Sequence, residues 1–514
     1  MTKVALRGAT TQITRTFDVL NRLTSRTRNT FNETVAYTYW PSDRLRKLIY
    51  PGISTPVQYE YDGPQRLKLV TDWQQHETRY TYYPTGQLKT STLPGGVSTN
   101  YNVDNAGRFT GFETKTQSNI GEILLARAAY TLDAAGTPTA VNQVLPIAPS
   151  LPVSEQPMTY VSDRLDTLKG QPVGYDGDGN MTTIPGVNGT LTHNSLNQLT
   201  SVGTTQFAYD EDGLRERVTL GNNSTRYVQD AADYISPLLN QGDPQRAIQF
   251  ATLTPSLEGP FELTPWIGLD ETPQSTDAAL NRVLMSLDSQ NTVQAKYVYG
   301  HGLISRESGT DPSDYKLYVF DGQGTTLALF APALSSPGNP GVISDRYAYA
   351  PYGNSPTHYG TTANPFLYQG RDGVMDDGLG LLFMRARYYA TPALRFSEKD
   401  FLFGEKQVPQ SLNRYGFVRG NPLQRIDPLG LWPWDTVLIV AGSLLGAGLL
   451  GFGIYKAYQA YQFYKVAQGK RLVDVVELEP LVPTPRGGGS GGSSSTSSGA
   501  RQRRPSSAQY AHLG

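Results

Sequence analysis

Two aspartates late in the chain stand where a pair of carboxylates could do chemistry. Asp400 lies in the run Glu-Lys-Asp-Phe-Leu-Phe-Gly and Asp427 in Arg-Ile-Asp-Pro-Leu-Gly-Leu; each closes a short element and has a glycine within the next four residues. Carboxylates brought within a few ångströms of one another resist ionising together, so one can polarise a carbonyl while the other activates a water as general base. That is the chemistry of peptide-bond hydrolysis. Such a pair titrates as a unit, so acid and base roles belong to neither residue alone. The same two residues also read as plain punctuation, since an Asp-Pro step opens turns and aspartate commonly ends a strand.

Other chemistries lack their residues. The 514-residue sequence contains no cysteine, which removes thiol nucleophiles, disulfides and thiolate metal sites. Its five histidines, His76, His193, His301, His358 and His512, are scattered without ligand spacing, so no metal and no cofactor is expected. A formal net charge of −1 supplies no field to draw nucleic acid or an anionic membrane, and no nucleic-acid partner is expected. The first ten residues lack the apolar core of a secretory signal, so export calls for a dedicated machine or a partner.

The elements that must hold the aspartates are strands. With 52 glycines, 35 prolines and 32 tyrosines against 17% charged residues, the composition favours a large all-β architecture. A repeat reinforces this. Phe17-Asp18 precedes Arg22-Leu23, Tyr39 precedes Arg44-Leu45, Tyr61-Asp62 precedes Arg66-Leu67, Tyr82 precedes Gln87-Leu88, and Asp104 precedes Arg108-Phe109. The closing apolar residues recur roughly every 21 to 22 positions, a period that requires stacked units. In each unit an aromatic strand end meets an aspartate-led turn, and a basic or amide residue plus a leucine opens the returning strand, which makes a chain of β-hairpins. The periodic aspartates are read as turn acceptors in preference to calcium ligands, and the tyrosines as cross-strand packing in preference to sugar platforms. The period fails over about 231–290 and resumes from Tyr297.

Residues 368–431 carry a further ordered pattern: Leu381 through Tyr389, then Arg395, Phe396, Asp400, Asn413, Tyr415, Asn421 and Pro422, closing on Asp427, Pro428, Gly430 and Leu431. Together with the hairpin repeats this resembles the core domain that ends the shell of RHS or YD-repeat proteins, among them the C subunits of insecticidal Tc toxins and the polymorphic RHS toxins. Three features depart from the family pattern. Phe401 follows Asp400 where the pattern has proline, the gap between the two aspartates is about five residues longer than in the Tc toxin pattern, and the run Ala-Thr-Pro-Ala-Leu-Arg-Phe lacks the usual turn glycine ahead of Arg395.

The resemblance implies hairpins spiralling into a hollow β-shell, partial or completed by another subunit. It implies an aspartyl-type autoprotease built from Asp400 and Asp427, with Arg395 in support and Pro428 and Gly430 as motif residues, acting once on its own chain between Leu431 and Trp432. The expected domains are a repeat shell over 1–296, a core with the protease motif over 297–431, an apolar segment over 432–485, and a disordered Gly/Ser-rich tail over 486–514. Because the sequence opens inside a repeat, the expected partner is a second shell-forming subunit or a missing N-terminal part.

Residues 436–454 hold no charge, and as a helix they would cover about 29 Å, the span of a bilayer core, which makes them a candidate membrane contact. An apolar helix held as cargo is the alternative. The expected function is therefore a toxin-type shell, secreted or at the cell surface, that encloses its C-terminal segment and frees it by self-cleavage. The rival is a non-cleaving YD-repeat surface or scaffold protein anchored by the 436–454 helix.

Overall fold

The structure, a computed structural model, describes residues 13–20, 22–134, 136–148, 157–210, 213–230, 281–334, 339, 341–354, 356–400, 409–431 and 434–435. All of them fall in the first of two units, Met1–Gly469; the second, Lys470–Gly514, lies outside them. Trp432, the expected 436–454 helix and the 486–514 tail also lie outside the described residues.

The repeat is explained by its turn. Asp18 donates its N–H to the Arg22 carbonyl at 3.0 Å. Its Oδ1 accepts the N–H groups of Leu20 and Arg22, and the Arg22 Nε donates to Oδ2 at 2.7 Å. The turns from Asp62 to Arg66 and from Asp104 to Arg108 bond in the same way. Their fourth residues, Gln65 and Gly107, take positive φ values of 65° and 76°, which adds the one-residue bulge where each hairpin register shifts. The arginine also serves the neighbouring hairpin, since Arg22 lies 4.9 Å from the Tyr39 ring centroid and Arg66 lies 4.4 Å from that of Tyr82. Tyr39 in turn donates its hydroxyl to the Leu23 carbonyl at 2.7 Å. Where tyrosine, aspartate and arginine recur together, the aspartate turns the hairpin and the arginine docks it on the tyrosine of the next.

These hairpins form two long sheets. The first has 12 strands, from Ile13–Phe17 to Pro138–Val144, and the second has 12, from Leu191–His193 to Thr357–Tyr359. In both the spatial order follows the sequence order, and among the described residues neither sheet closes on itself. Smaller sheets of three and two strands lie between them in the sequence, and a four-stranded sheet follows. The all-β expectation holds. The second sheet crosses the expected 296/297 boundary inside the strand Val293–Gly300. Within the stretch where the sequence period fails, Arg282–Leu287 is a strand and pairs directly with Asn223–Asp230; residues 231–280 lie outside the described residues. Among the described residues no helix is long and apolar enough to cross a membrane.

Burial separates the roles of the two sheets. In the first, strands alternate between buried and open positions, as in Val57–Tyr61. In the second, Arg282–Leu287 and Tyr315–Phe320 are buried at nearly every position, the signature of strands covered on both faces. Leu284, Val298, Leu317 and Phe330 pack with Leu48, Val57, Val70 and Phe112 of the first sheet. Tyr227, Tyr297 and Leu329 pack instead with Phe366, Leu381, Tyr388 and Tyr415 of the later segment. Ion pairs tie the layers at their margins: Arg26 with Asp210 at 2.7 Å, Arg28 with Glu216 at 2.7 Å, and Arg226 with both oxygens of Glu33 at 2.6 Å.

The same turn aspartate behaves differently by location. Asp104, on an open turn, is held below the usual carboxylate range by the Arg108 N–H. Asp321, in the turn after Tyr315–Phe320, is pushed up to about 6 by burial, against the pull of the N–H groups of Thr325 and Gln323. A raised carboxyl binds its proton more tightly in the folded than in the unfolded chain. Its contribution to stability is therefore complete below the ordinary value of 3.8 and is lost as pH rises through about 6. Asp321→Asn keeps an oxygen for the two N–H groups and removes the titration. The variant is expected to melt above the wild type in neutral buffer, with the gap closing in mildly acidic buffer.

Candidate active site

The site grows from the four-stranded sheet Met375–Asp376, Leu381–Met384, Arg387–Ala390 and Arg395–Phe396. The turn into its last strand places Leu394 at φ 56°, in the left-handed region. Leu394 is half-buried and belongs to none of the hydrophobic clusters, so its side chain offsets little of the strain. Leu394→Gly is expected to raise unfolding stability by about 0.5 to 1 kcal/mol, read as a higher denaturant midpoint. This is where the sequence lacked the turn glycine, and the fold keeps the turn regardless.

Asp400 follows that strand. Its N–H donates to the Arg414 carbonyl at 3.0 Å, and the Arg414 guanidinium donates back to the Asp400 carbonyl. Asp427 follows the short strand Arg425–Ile426, and its N–H donates to Gln369 Oε1 at 3.3 Å. Its own Oδ1 accepts the Leu431 N–H at 3.0 Å, which closes residues 427–431 into a ring. Gly430 completes the ring at φ 68°; a Cβ there would lie 2.5 Å from the Met384 carbonyl oxygen, so only glycine fits. The loop is also seated from outside. The Ala386 N–H donates to the Leu429 carbonyl at 3.1 Å, and the Arg385 Nη1 donates to the Pro428 carbonyl at 2.6 Å. Past the loop, Trp434–Asp435 pairs back onto Arg425–Ile426, so the expected scissile bond lies in the connection of a tight strand pair.

One guanidinium joins the two aspartates. Arg387 Nη2 lies 2.8 Å from Asp400 Oδ2 and 3.8 Å from Asp427 Oδ2. Its Nη1 donates to the Arg414 carbonyl at 2.9 Å, its Nε donates to the Gly430 carbonyl, and its plane lies 3.7 Å from the Phe396 ring centroid. The three side chains are 4%, 12% and 2% exposed for Arg387, Asp400 and Asp427, so solvent screens the cluster weakly. A cation between two carboxylates offsets the repulsion that would force a proton onto one member of a bare pair. The arrangement is Asp–Arg–Asp, with one guanidinium nitrogen facing both carboxylates.

The expected support residue, Arg395, and Arg387 lie on neighbouring paired strands. Arg395 lies over the Tyr160 ring at 4.7 Å, and the guanidinium that reaches the aspartates belongs to Arg387. Arg395 precedes Asp400 more closely in sequence, but strand pairing sets the contacts: Tyr389 opposes Phe396 and Ala390 opposes Arg395, so the residues further back on Arg387–Ala390 come opposite the approach to Asp400. Sequence reading also missed Arg385 and Gln369, although the Arg-Ala-Arg spacing beside a hairpin was a usable signal. Among the described residues no group of His, Asp and Glu is arranged to hold a metal ion.

The described residues thus define an antiparallel β protein of aspartate-turn hairpins with a buried Asp–Arg–Asp cluster at its last described loop. No family profile matches the chain. By sequence it is similar to the tRNA(Glu)-specific nuclease WapA of Bacillus subtilis subsp. natto (strain BEST195), with 25% identity over 280 residues, covering 54% of this chain and 11% of that protein. It is also similar to the tRNA3(Ser)-specific nuclease WapA of Bacillus spizizenii, with 26% identity over 275 residues, covering 51% and 11%. The chain therefore matches only about a tenth of the length of these curated relatives. Among solved structures, TcdB2-TccC3-Cdc42 superposes at a TM-score of 0.35 and 16% identity, covering 84% of this chain and 21% of that one. The Photorhabdus luminescens Tc holotoxin pore gives 0.35, 16%, 83% and 22%. At such scores the folds superpose only loosely.

Proposed function

We propose that this chain is a β-hairpin scaffold that cuts its own backbone once, between Leu431 and Trp432, and so frees the segment beyond. The observation that carries the reading is the convergence of Asp400 and Asp427 on Arg387 at the loop that ends in Leu431. In this reading one carboxylate takes a proton from the attacking water, the water oxygen bonds to the Leu431 carbonyl carbon, and the same proton passes to the Trp432 nitrogen as the carbon–nitrogen bond breaks. Arg387, which already donates to the Gly430 carbonyl one residue away, steadies the negative charge that develops on the Leu431 carbonyl oxygen. The 427–431 ring holds the peptide before attack, so the reaction begins from an ordered substrate.

The likeness to WapA nucleases over about half of the chain supports a scaffold of the kind joined to an effector. In its fuller form the proposal has the scaffold enclose the freed segment, with a partner subunit or further hairpins extending the sheets at their open edges, Ile13–Phe17 among them, and with the assembled protein secreted. Retention of the cut segment is read by native gel filtration, where both pieces should co-elute; separation speaks against enclosure.

A second reading is favoured by one feature of the loop. Asp427 already accepts the Leu431 N–H and faces Arg387, which is also what a purely structural tie would look like. On that reading the protein is an uncut scaffold. Denaturing electrophoresis of the purified full chain separates the two: self-cleavage gives two bands, and the uncut scaffold gives one.

A further inference from the structure

Arg385 occupies the tip of the hairpin between Leu381–Met384 and Arg387–Ala390, with φ 58°. That left-handed conformation is costly for any residue with a Cβ and free for glycine. The side chain shows what is obtained in return. Its Nη1 donates to the Pro428 carbonyl at 2.6 Å, and its Nη2 donates to the carbonyls of Asp372 at 2.8 Å and Asn281 at 2.9 Å. Two of these acceptors belong to the frame: Asp372 ends the turn Gly370–Asp372, and Asn281 leads into the buried strand Arg282–Leu287. The third belongs to the loop, on Pro428, the residue that directly follows Asp427.

We infer that Arg385 is a positioning residue for the self-cleavage proposed above, an inference that rests on that reading. Asp427 is held from both sides along the backbone. Gln369, itself buried and set at φ 53°, accepts its N–H, and Arg385 grips the carbonyl of the next residue. With the backbone fixed at these two points, the Asp427 carboxylate keeps only its own side-chain torsions, and the Leu431 N–H on Oδ1 restricts those. The planar fork of an arginine suits the task, since it can hold several carbonyls at set angles where a single ammonium cannot. Arg387 acts on the aspartates themselves, whereas Arg385 acts on the backbone that carries one of them.

The test uses Arg385→Gly in the full chain. Glycine is at ease at φ 58°, so the change relieves the backbone while deleting the grip, and a loss of cleavage cannot be laid to turn strain. Wild type and variant are made by cell-free translation, and the fragments are followed over time, with and without guanidinium ion at concentrations far below those that unfold proteins. The variant is expected to cut at least tenfold more slowly, a loss in keeping with the cost of misplacing a reacting group by a fraction of an ångström. Added guanidinium is expected to restore a large part of the rate, and the variant is expected still to unfold cooperatively well above the assay temperature. Cleavage by the variant within twofold of the wild-type rate, or a loss that guanidinium leaves untouched, overturns the inference and leaves the self-cleavage reading standing. A wild type that never cuts overturns both.

Discussion

Asp400→Asn and Asp427→Asn are each expected to leave the chain whole, at the level of no fragment above background on a denaturing gel. The two carboxylates act through one guanidinium, so losing either costs about as much as losing both, roughly three orders of magnitude or more in rate. Asparagine is the informative replacement because it spares the fold. At position 427 it retains an oxygen to accept the Leu431 N–H, so the loop still closes while the negative charge facing Arg387 is gone. At position 400 the backbone exchange with Arg414 does not involve the side chain. A variant that melts like the wild type and remains uncut assigns the loss to chemistry. A variant of either residue that cuts at the normal rate removes it from the mechanism.

Asp377→Ala is expected to produce the largest loss of stability of any single change. Arg215 begins the strand Arg215–Leu220 of the second sheet, its side chain is 0% exposed, and its partner Asp377 is 5% exposed. Burial disfavours the Arg215 charge, and Asp377 more than restores it. Removing the carboxylate strands a guanidinium among Phe383, Tyr388 and Met375, with a cost of roughly 3 to 5 kcal/mol. Pairing the change with Arg215→Met should recover most of that loss, because an apolar side chain of similar length needs no counter-ion. Both proteins are compared by denaturant unfolding. The pair joins the second sheet to the four-stranded sheet that carries Arg387, so Asp377→Ala should also slow cleavage. A single variant that unfolds at the wild-type midpoint contradicts this account of the joint.

What could be read in the sequence follows from the range of the forces involved. The hairpins are local: Asp18, Asp62 and Asp104 bond within five residues of themselves, and such turns leave a period that needs no knowledge of the fold. The aspartate pair was legible because each residue sits in a short motif. The layering was not, since it depends on contacts such as Arg226 with Glu33 and Tyr50 with the Tyr297 carbonyl, which join residues remote in sequence and leave no local pattern. Arg387 shows the intermediate case. It lay within a recognised run, but seeing that it faces both aspartates requires the register of the strands Arg387–Ala390 and Arg395–Phe396, and that register depends on a turn built around Leu394 where a glycine would be the ordinary signal. The strand Arg282–Leu287 was hidden for a related reason: it is buried on both faces and lacks the alternation by which a half-exposed strand is recognised.

The central claim is that this protein breaks its own backbone after Leu431, and intact-mass measurement of the freshly purified, denatured chain tests it most directly. The account predicts two species, one ending at Leu431 and the other beginning at Trp432. A single species at the full 56.3 kDa, from protein that melts cooperatively, would contradict it.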